Sequence, residues 1–165
     1  MMKRLALLLP LLLLLTACHT PAPIPQVPGQ PDLEAVSNLD GEGYTLDSPA
    51  LEDVQGDTAL TLCQTLGNGT ELSLLYGVRL PESLGETLKD KVLQGLLALP
   101  VVLEPEAESL SIQILQYDPE SRILYFLAGA AFSEKGYEGE TLTLTISDTA
   151  LLDLPETALS VTWTP

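Results

Sequence analysis

Histidine is almost absent from this sequence, since His19 is the only one in 165 residues. A Ser-His-Asp or Cys-His catalytic site needs a histidine that takes a proton from the nucleophile. A zinc site in a chain with only two cysteines would also need histidine ligands. His19 stands in a proline-rich stretch outside the predicted domain, so neither kind of site is expected within that domain.

Basic and aromatic residues are scarce as well. The chain has seven Lys and Arg against 23 Asp and Glu, and aromatic residues make up 5% of it. Without Lys3 and Arg4, which precede the first apolar run, five basic residues minus 23 acidic ones leave a formal net charge of −18. A domain of this charge repels nucleic acid and anionic lipid head groups. We therefore expect no nucleic-acid partner, and few aromatic rings are present for stacking on glycans.

Motifs for phosphate and calcium binding are also missing. The sequence contains neither a glycine-rich phosphate loop nor an Asp-x-Asp-x-Asp-Gly calcium loop. Acidic residues do cluster at two places, which are Glu52, Asp53 and Asp57, and then Glu104, Glu106 and Glu108. We interpret both clusters as solvated acidic surface, and we expect neither a cofactor nor a bound metal.

The first 17 residues have the pattern of an export signal. Lys3 and Arg4 precede an apolar run of eleven residues, Leu5–Leu15, which is too short for a hydrocarbon core that needs roughly twenty. The Leu-Thr-Ala-Cys motif that ends at Cys18 resembles the lipobox of bacterial lipoproteins. The resemblance implies cleavage between Ala17 and Cys18 and a diacylglycerol on the Cys18 thiol.

The lipid anchor predicts where the protein resides. Two or more acyl chains hold a protein stably at a membrane, whereas one chain binds reversibly. His19, rather than an aspartate, follows Cys18. By resemblance to Gram-negative sorting, this residue permits export to the outer membrane where the organism has one, so the domain would face the periplasm or the exterior. We predict contact with the membrane through the anchor alone.

Cysteine chemistry in the domain rests on Cys63, because the lipid would occupy Cys18. No intramolecular disulfide is then expected. A reactive thiol needs a basic neighbour, and the residues on either side of Cys63 are Thr61, Leu62, Gln64 and Thr65. We interpret Cys63 as a small buried apolar residue of a strand.

The chain divides into a signal peptide (1–17), a lipidated cysteine with a proline-rich tether (18–31) and a single exported domain (32–165). The tether contains five prolines between residues 19 and 31, which favours polyproline II. At about 3.1 Å per residue, it would reach roughly 40 Å when extended. Residues 32–54 are polar, and we predict a loop there with a short strand near 44–46.

The rest of the domain has the pattern of a mainly β protein. Turn signals and alternation predict strands over residues 58–65, 71–78, 101–104, 109–117, 122–128, 141–146 and 158–163. Gly67-Asn68-Gly69 and Asp118-Pro119 are typical of hairpin turns. A Ser83–Glu86 capping box and apolar residues at spacing four predict one amphipathic helix over 83–98. We expect an antiparallel β-sandwich or a small β-barrel.

One stretch, residues 56–126, resembles the staphylococcal-nuclease-like family, which has an OB-type barrel. The similarity lies in Gly56-Asp57-Thr58, Tyr76-Gly77-Val78-Arg79-Leu80-Pro81-Glu82, Val101-Val102-Leu103-Glu104 and Ser121-Arg122-Ile123-Leu124-Tyr125. In that family, acidic residues hold calcium, a glutamate positions or activates water, and two arginines stabilise the phosphate transition state. The resemblance implies that Asp57 is a metal ligand and that Glu82 and Arg122 are the catalytic glutamate and the second arginine.

The departures from that family concern the site itself. Leu74 stands where the family has its first arginine, and Arg79 stands where it has a second metal-binding aspartate. A cation in the place of a metal ligand repels the metal, and a lost arginine weakens transition-state stabilisation. We therefore predict a non-catalytic binding or structural domain with an envelope protein as partner. The alternative is a weak or inactive calcium-dependent nuclease-like enzyme acting on phosphodiesters. The oligomeric state is left open.

Overall fold

The structure is a computed structural model that describes residues 29–39, 43–82, 87, 89–91, 94, 101–146 and 158–165. One complete short helix and nine strands lie within these ranges, which also include helical residues at 87 and 89–91. They are α1 (Leu33–Val36), β1 (Thr45–Asp47), β2 (Leu51–Gln55), β3 (Thr58–Gly67), β4 (Glu71–Arg79), β5 (Val101–Glu104), β6 (Ser109–Asp118), β7 (Ile123–Ala131), β8 (Leu142–Ile146) and β9 (Leu159–Trp163). No helix in these ranges is long and apolar enough to cross a membrane.

The strands form two antiparallel sheets. The large sheet has the order β1-β3-β4-β7-β6, and β2 also pairs with β3. β1 pairs with residues 65–67 of β3 and β2 pairs with residues 58–62, so the two short strands follow one another along a single edge. The small sheet has the order β5-β8-β9. The described strands therefore leave β6 at the far edge of the large sheet.

The main core lies between the two sheets. Alternate apolar side chains of β3, β4 and β7 face those of β8 and β9 in one buried cluster. Tyr76 and Phe126 stack within it, with ring centroids 5.1 Å apart. Burial of such side chains supplies most of the free energy that opposes chain entropy. This arrangement confirms the predicted mainly β, antiparallel sandwich, and the described strands do not close into the alternative barrel.

A second, smaller cluster covers the outer face of the large sheet. Leu33 of α1 is fully buried there, against Cys63, Leu75 and Tyr125. Asp32 caps α1, because its carboxylate accepts a hydrogen bond from the Glu34 N–H. The segment that precedes β1 thus serves as a cover for this face of the sheet.

The prediction of loop structure over residues 32–54 was wrong in two places, α1 and β2. β2 carries acidic residues, yet tertiary partners hold it as a strand. The Asp53 carboxylate accepts a hydrogen bond from the Ser160 N–H at 2.8 Å, and Glu52 accepts one from the Thr61 hydroxyl at 3.3 Å. Pairing with β3 therefore outweighs the low strand propensity of this sequence.

The predicted helix over 83–98 lies mostly outside the described residues. Within that range, residue 87 and residues 89–91 are helical, and the Gln94 N–H donates to the Asp90 carbonyl at 3.0 Å. The ammonium of Lys89 lies 5.2 Å from the ring centroid of Tyr117, which places these residues beside the end of β6.

The β3–β4 hairpin turn is tied to the loop after β7 by Tyr137. The Tyr137 hydroxyl donates to the Glu71 carbonyl at 3.2 Å and accepts from the Gly69 N–H at 3.1 Å. A Cβ atom on Gly67 would lie 2.0 Å from the same hydroxyl, so only glycine fits at this end of β3. The predicted turn at Gly67-Asn68-Gly69 is confirmed, and it depends on a residue some 70 positions away in the sequence.

We expect Tyr137→Phe to lower the free energy of unfolding by about 1–2 kcal/mol, because the Gly69 N–H loses its acceptor in a partly buried place. The matched control is Tyr44→Phe, which removes an exposed hydrogen bond to the Glu71 carboxylate and should cost less than about 0.5 kcal/mol. Urea unfolding followed by the fluorescence of Trp163, the only tryptophan, measures both. Equal losses in the two variants would contradict this role of Tyr137.

Candidate functional site

Asp57 and Arg122, which are 65 positions apart in sequence, form an ion pair at one end of the large sheet. Asp57 lies in the turn between β2 and β3, and Arg122 ends the turn between β6 and β7. The two terminal guanidinium nitrogens of Arg122 donate to the two carboxylate oxygens of Asp57, at 2.8 Å and 2.9 Å. This bidentate geometry is the strong form of an arginine–carboxylate pair.

The end of β4 joins the same cluster. The Glu82 N–H donates to the Asp57 carboxylate at 2.9 Å, and the Nε–H of Arg79 donates to the Asp57 carbonyl at 3.4 Å. The Leu80 N–H donates to the Arg122 carbonyl at 2.9 Å. The cluster therefore connects three chain segments that the sequence separates, and the structure brings Asp57, Glu82 and Arg122 together.

The electrostatics of the cluster follow from this geometry. The hydrogen bonds from Arg122, followed by the one from the Glu82 N–H, hold the pKa of Asp57 well below its usual range. The same pairing raises the pKa of Arg122. Arg122 has φ +59°, in the left-handed region that few non-glycine residues adopt. The backbone thus accepts a disfavoured conformation at the residue that binds Asp57.

The cluster differs from a metal site in how its carboxylate is used. Both oxygens of Asp57 already accept hydrogen bonds, and the positive guanidinium of Arg122 beside them repels a cation. Across the described ranges, no group of three or more His, Cys, Asp or Glu side chains is placed to hold a metal ion. Leu74, which stands in place of the family's first arginine, is fully buried in the core. The arrangement is that of a bidentate arginine–carboxylate ion pair at the surface.

The remaining residues that the sequence singled out are Ala17, Cys18 and Cys63. Ala17 and Cys18 lie outside the described residues. Cys63 is buried as predicted, and burial raises the pKa of its thiol to about 12. A thiol in this state is protonated at neutral pH and is a poor nucleophile.

Sequence reasoning missed a second feature, the outer edge of β6. Residues 109–113 are five consecutive exposed residues of that strand. Leu110 is 36% exposed and Ile112 is 43% exposed, although both point to the face that carries the core. No strand of the described ranges pairs with the outer side of these five residues. We call the backbone and side chains of Ser109–Gln113 the β6 edge.

The two edges of the large sheet differ in their protection. The opposite edge is divided into two short strands around Pro49, and it carries Asp47, Glu52 and Asp53. Natural sheets commonly block unwanted pairing by such breaks and charges. The β6 edge is continuous and has no charged residue and no proline. It is the less protected of the two edges.

A cavity of about 300 Å³ lies beside the β6 edge. Ser109, Ser111 and Gln113 line it from β6, and Asn38 and Leu39 line it from the segment after α1. The polar residues of β6 line this cavity together with Ile112, whereas Leu110 is not among its lining residues. The alternation of the sequence was visible, but no sequence signal distinguishes an edge strand from a central one here.

No protein-family model, no curated protein and no solved structure matches this chain.

We expect Arg122→Gln to raise the pKa of Asp57 toward its ordinary value near 4, because the guanidinium donors are lost. Gln keeps a side chain with Cβ at the same φ, so backbone strain is similar in both proteins. Arg79→Gln is the matched control, since Arg79 contacts the Asp57 carbonyl and not the carboxylate. Carboxyl-selective NMR titration measures the pKa, and an equal shift in both variants would contradict the assignment.

The same pair predicts a pH dependence of stability. The folded-state pKa of Asp57 is lowered, so the pair stabilises the native state above the ordinary value near pH 4 and loses this effect as pH falls below it. The difference in unfolding free energy between the wild type and Arg122→Gln should be constant above about pH 5 and shrink toward pH 2. Urea unfolding across this range measures it, and a difference that grows on acidification would contradict the sign.

Proposed function

We propose that this chain is a lipid-anchored protein of the cell envelope whose β domain binds a protein partner and catalyses no reaction. The observation that carries the binding role is the β6 edge. The opposite edge of the large sheet is broken and charged. Among the described strands, none pairs with the outer backbone groups of the β6 edge, which also carries two exposed aliphatic side chains. Edges of this kind are used in proteins to add a strand from a partner.

The anchoring part of the proposal rests on the N-terminal sequence. The lipobox-like motif at Cys18, with the short apolar run before it, supports lipid attachment. Gly29, the first described residue, lies against β6, because the Gln116 side-chain amide donates to its carbonyl. The tether thus joins the domain near one end of β6, and its prolines keep the domain at a distance from the membrane surface.

The non-catalytic part of the proposal rests on the state of Asp57. Its carboxylate is engaged by Arg122 on both oxygens, and Arg79 stands beside it where the nuclease-like family has an acid. These positive charges oppose the binding of calcium. A second candidate, a nuclease-like enzyme, is favoured by one observation, which is that Asp57, Glu82 and Arg122 do meet in space.

The anchor is tested by Cys18→Ser in the native host. Without the thiol, no diacylglycerol can attach, so the variant should leave the membrane fraction and float no longer with vesicles. Mass spectrometry of the wild type should show an acylated cysteine at the mature N-terminus. A mature, signal-free Cys18→Ser protein that still floats with membranes, or a wild type that is uncut and unacylated, would refute the anchor.

The second candidate is tested by hydrolysis of single-stranded DNA with calcium. We expect no calcium-dependent hydrolysis by the wild type, because the proposed metal ligand is occupied by a guanidinium. The Arg122→Ala variant is assayed in parallel with the wild type. Calcium-dependent cleavage by the wild type that falls in this variant would establish the nuclease and remove the non-catalytic part of the proposal.

A further inference from the structure

We infer that the β6 edge binds an extended segment of another protein, in which apolar and polar residues alternate and Lys or Arg stands at the end beside Glu106 and Glu108. This inference rests on the proposed binding function and specifies its partner. The segment would add a strand to the large sheet, next to β6. The inference follows from the backbone of the edge, the side chains on its two faces and the acidic residues just before it.

The backbone of the β6 edge can hold a strand of modest length. Five exposed residues extend over about 17 Å at 3.4 Å per residue. Beyond Gln113 the strand is covered in part, since Gly29 contacts Gln116 and Lys89 lies over Tyr117. The accessible length therefore matches a partner strand of about five residues, which is a usual strand length in proteins.

The two faces of the edge select the side chains of the partner. Leu110 and Ile112 lie on one face, so the partner residues on that face should be aliphatic to cover them. Ser109, Ser111 and Gln113 lie on the other face, beside the cavity of about 300 Å³. Small polar side chains such as threonine fit that side. An alternating partner sequence follows, because successive residues of a strand point to opposite faces.

The charges before the edge select a basic end. Glu106 and Glu108 are exposed just before Ser109. Asp118, the last residue of β6, lies five residues beyond Gln113, where Lys89 lies over the neighbouring Tyr117. Complementary charge steers association and discriminates between partners. A segment with a cation at the end beside Glu108 therefore matches the edge, and cations at both of its ends meet this condition in either strand direction.

The same charges argue against a second copy of this chain. Two β6 edges paired in parallel would place Glu108 beside its counterpart, and in either direction both copies carry a formal net charge of −16. Like charges placed together in this way are unfavourable. The chain's own tether is also a poor occupant, because its prolines cannot donate the backbone hydrogen bonds that a strand needs.

The test uses the full lipidated chain in an uncharged detergent and a fluorescent peptide of the sequence Lys-Arg-Ile-Thr-Val-Thr-Ile-Lys-Arg. We expect saturable binding by fluorescence anisotropy that weakens as salt is raised. A peptide with glutamates at both ends, and one with proline in place of the central valine, should bind about tenfold or more weakly. Hydrogen exchange of residues 109–113 should slow when the basic peptide binds.

Matched variants locate the site. Ile112→Lys, at a position 43% exposed, should weaken peptide binding by about tenfold or more. Val54→Lys is the control, because Val54 is an aliphatic residue 48% exposed on the opposite edge of the same sheet. Val54→Lys should change the dissociation constant less than about twofold. Leu110→Lys replaces Ile112→Lys if Trp163 fluorescence shows that the latter does not fold.

Three results would overturn the inference. They are equal binding of the basic and acidic peptides, equal weakening by Ile112→Lys and Val54→Lys, and a wild-type dimer in sedimentation that Ile112→Lys dissociates. The last result would make a second copy the occupant. The Cys18→Ser and nuclease experiments do not depend on the β6 edge. If the peptide does not bind but the anchor test succeeds, the partner inferred here is wrong and the proposed lipid anchor still stands.

Discussion

Every open sheet ends in two strands whose outer N–H and C=O groups have no strand neighbour, and this constraint organises the described part of the protein. One edge of the large sheet is interrupted at Pro49 and carries acidic side chains, which makes it unsuitable for pairing. The other edge, β6, is ten residues long and lacks such features over its first half. The binding role proposed for the domain depends on this difference between the edges.

The ion pair of Asp57 and Arg122 links distant turns of the molecule. It joins the β2–β3 turn to the β6–β7 turn, and the Glu82 N–H brings the end of β4 to the same carboxylate. A calcium site and an arginine–carboxylate pair would use the same acidic residue, and the guanidinium beside that carboxylate repels a cation. The bidentate pair therefore gives residues of a nuclease-like pattern an arrangement that opposes metal binding.

Much of the fold could be predicted because it is encoded locally. Glycine and asparagine at the β3–β4 turn, Asp-Pro at the β6–β7 turn and strict alternation in β4 and β9 are signals that neighbouring residues carry themselves. β2 and α1 lacked such signals. β2 is a strand because β3 pairs with it and Asp53 binds the Ser160 N–H, and α1 is held by burial of Leu33. Of the candidate site, the residues Asp57, Glu82 and Arg122 could be selected from sequence, whereas their ion pairing could not.

The sequence by itself determined the residue types that are present, and with them the single histidine, the acidic charge and the alternating pattern of a mainly β domain. Only the tertiary structure decided that β6 lies at an edge, that Leu110 and Ile112 remain exposed and that the Arg122 guanidinium binds the Asp57 carboxylate. The physical reason is that alternation specifies which face a side chain takes within a strand. The neighbours of that strand are set by contacts between residues distant in sequence, and those contacts exist only once the chain has folded.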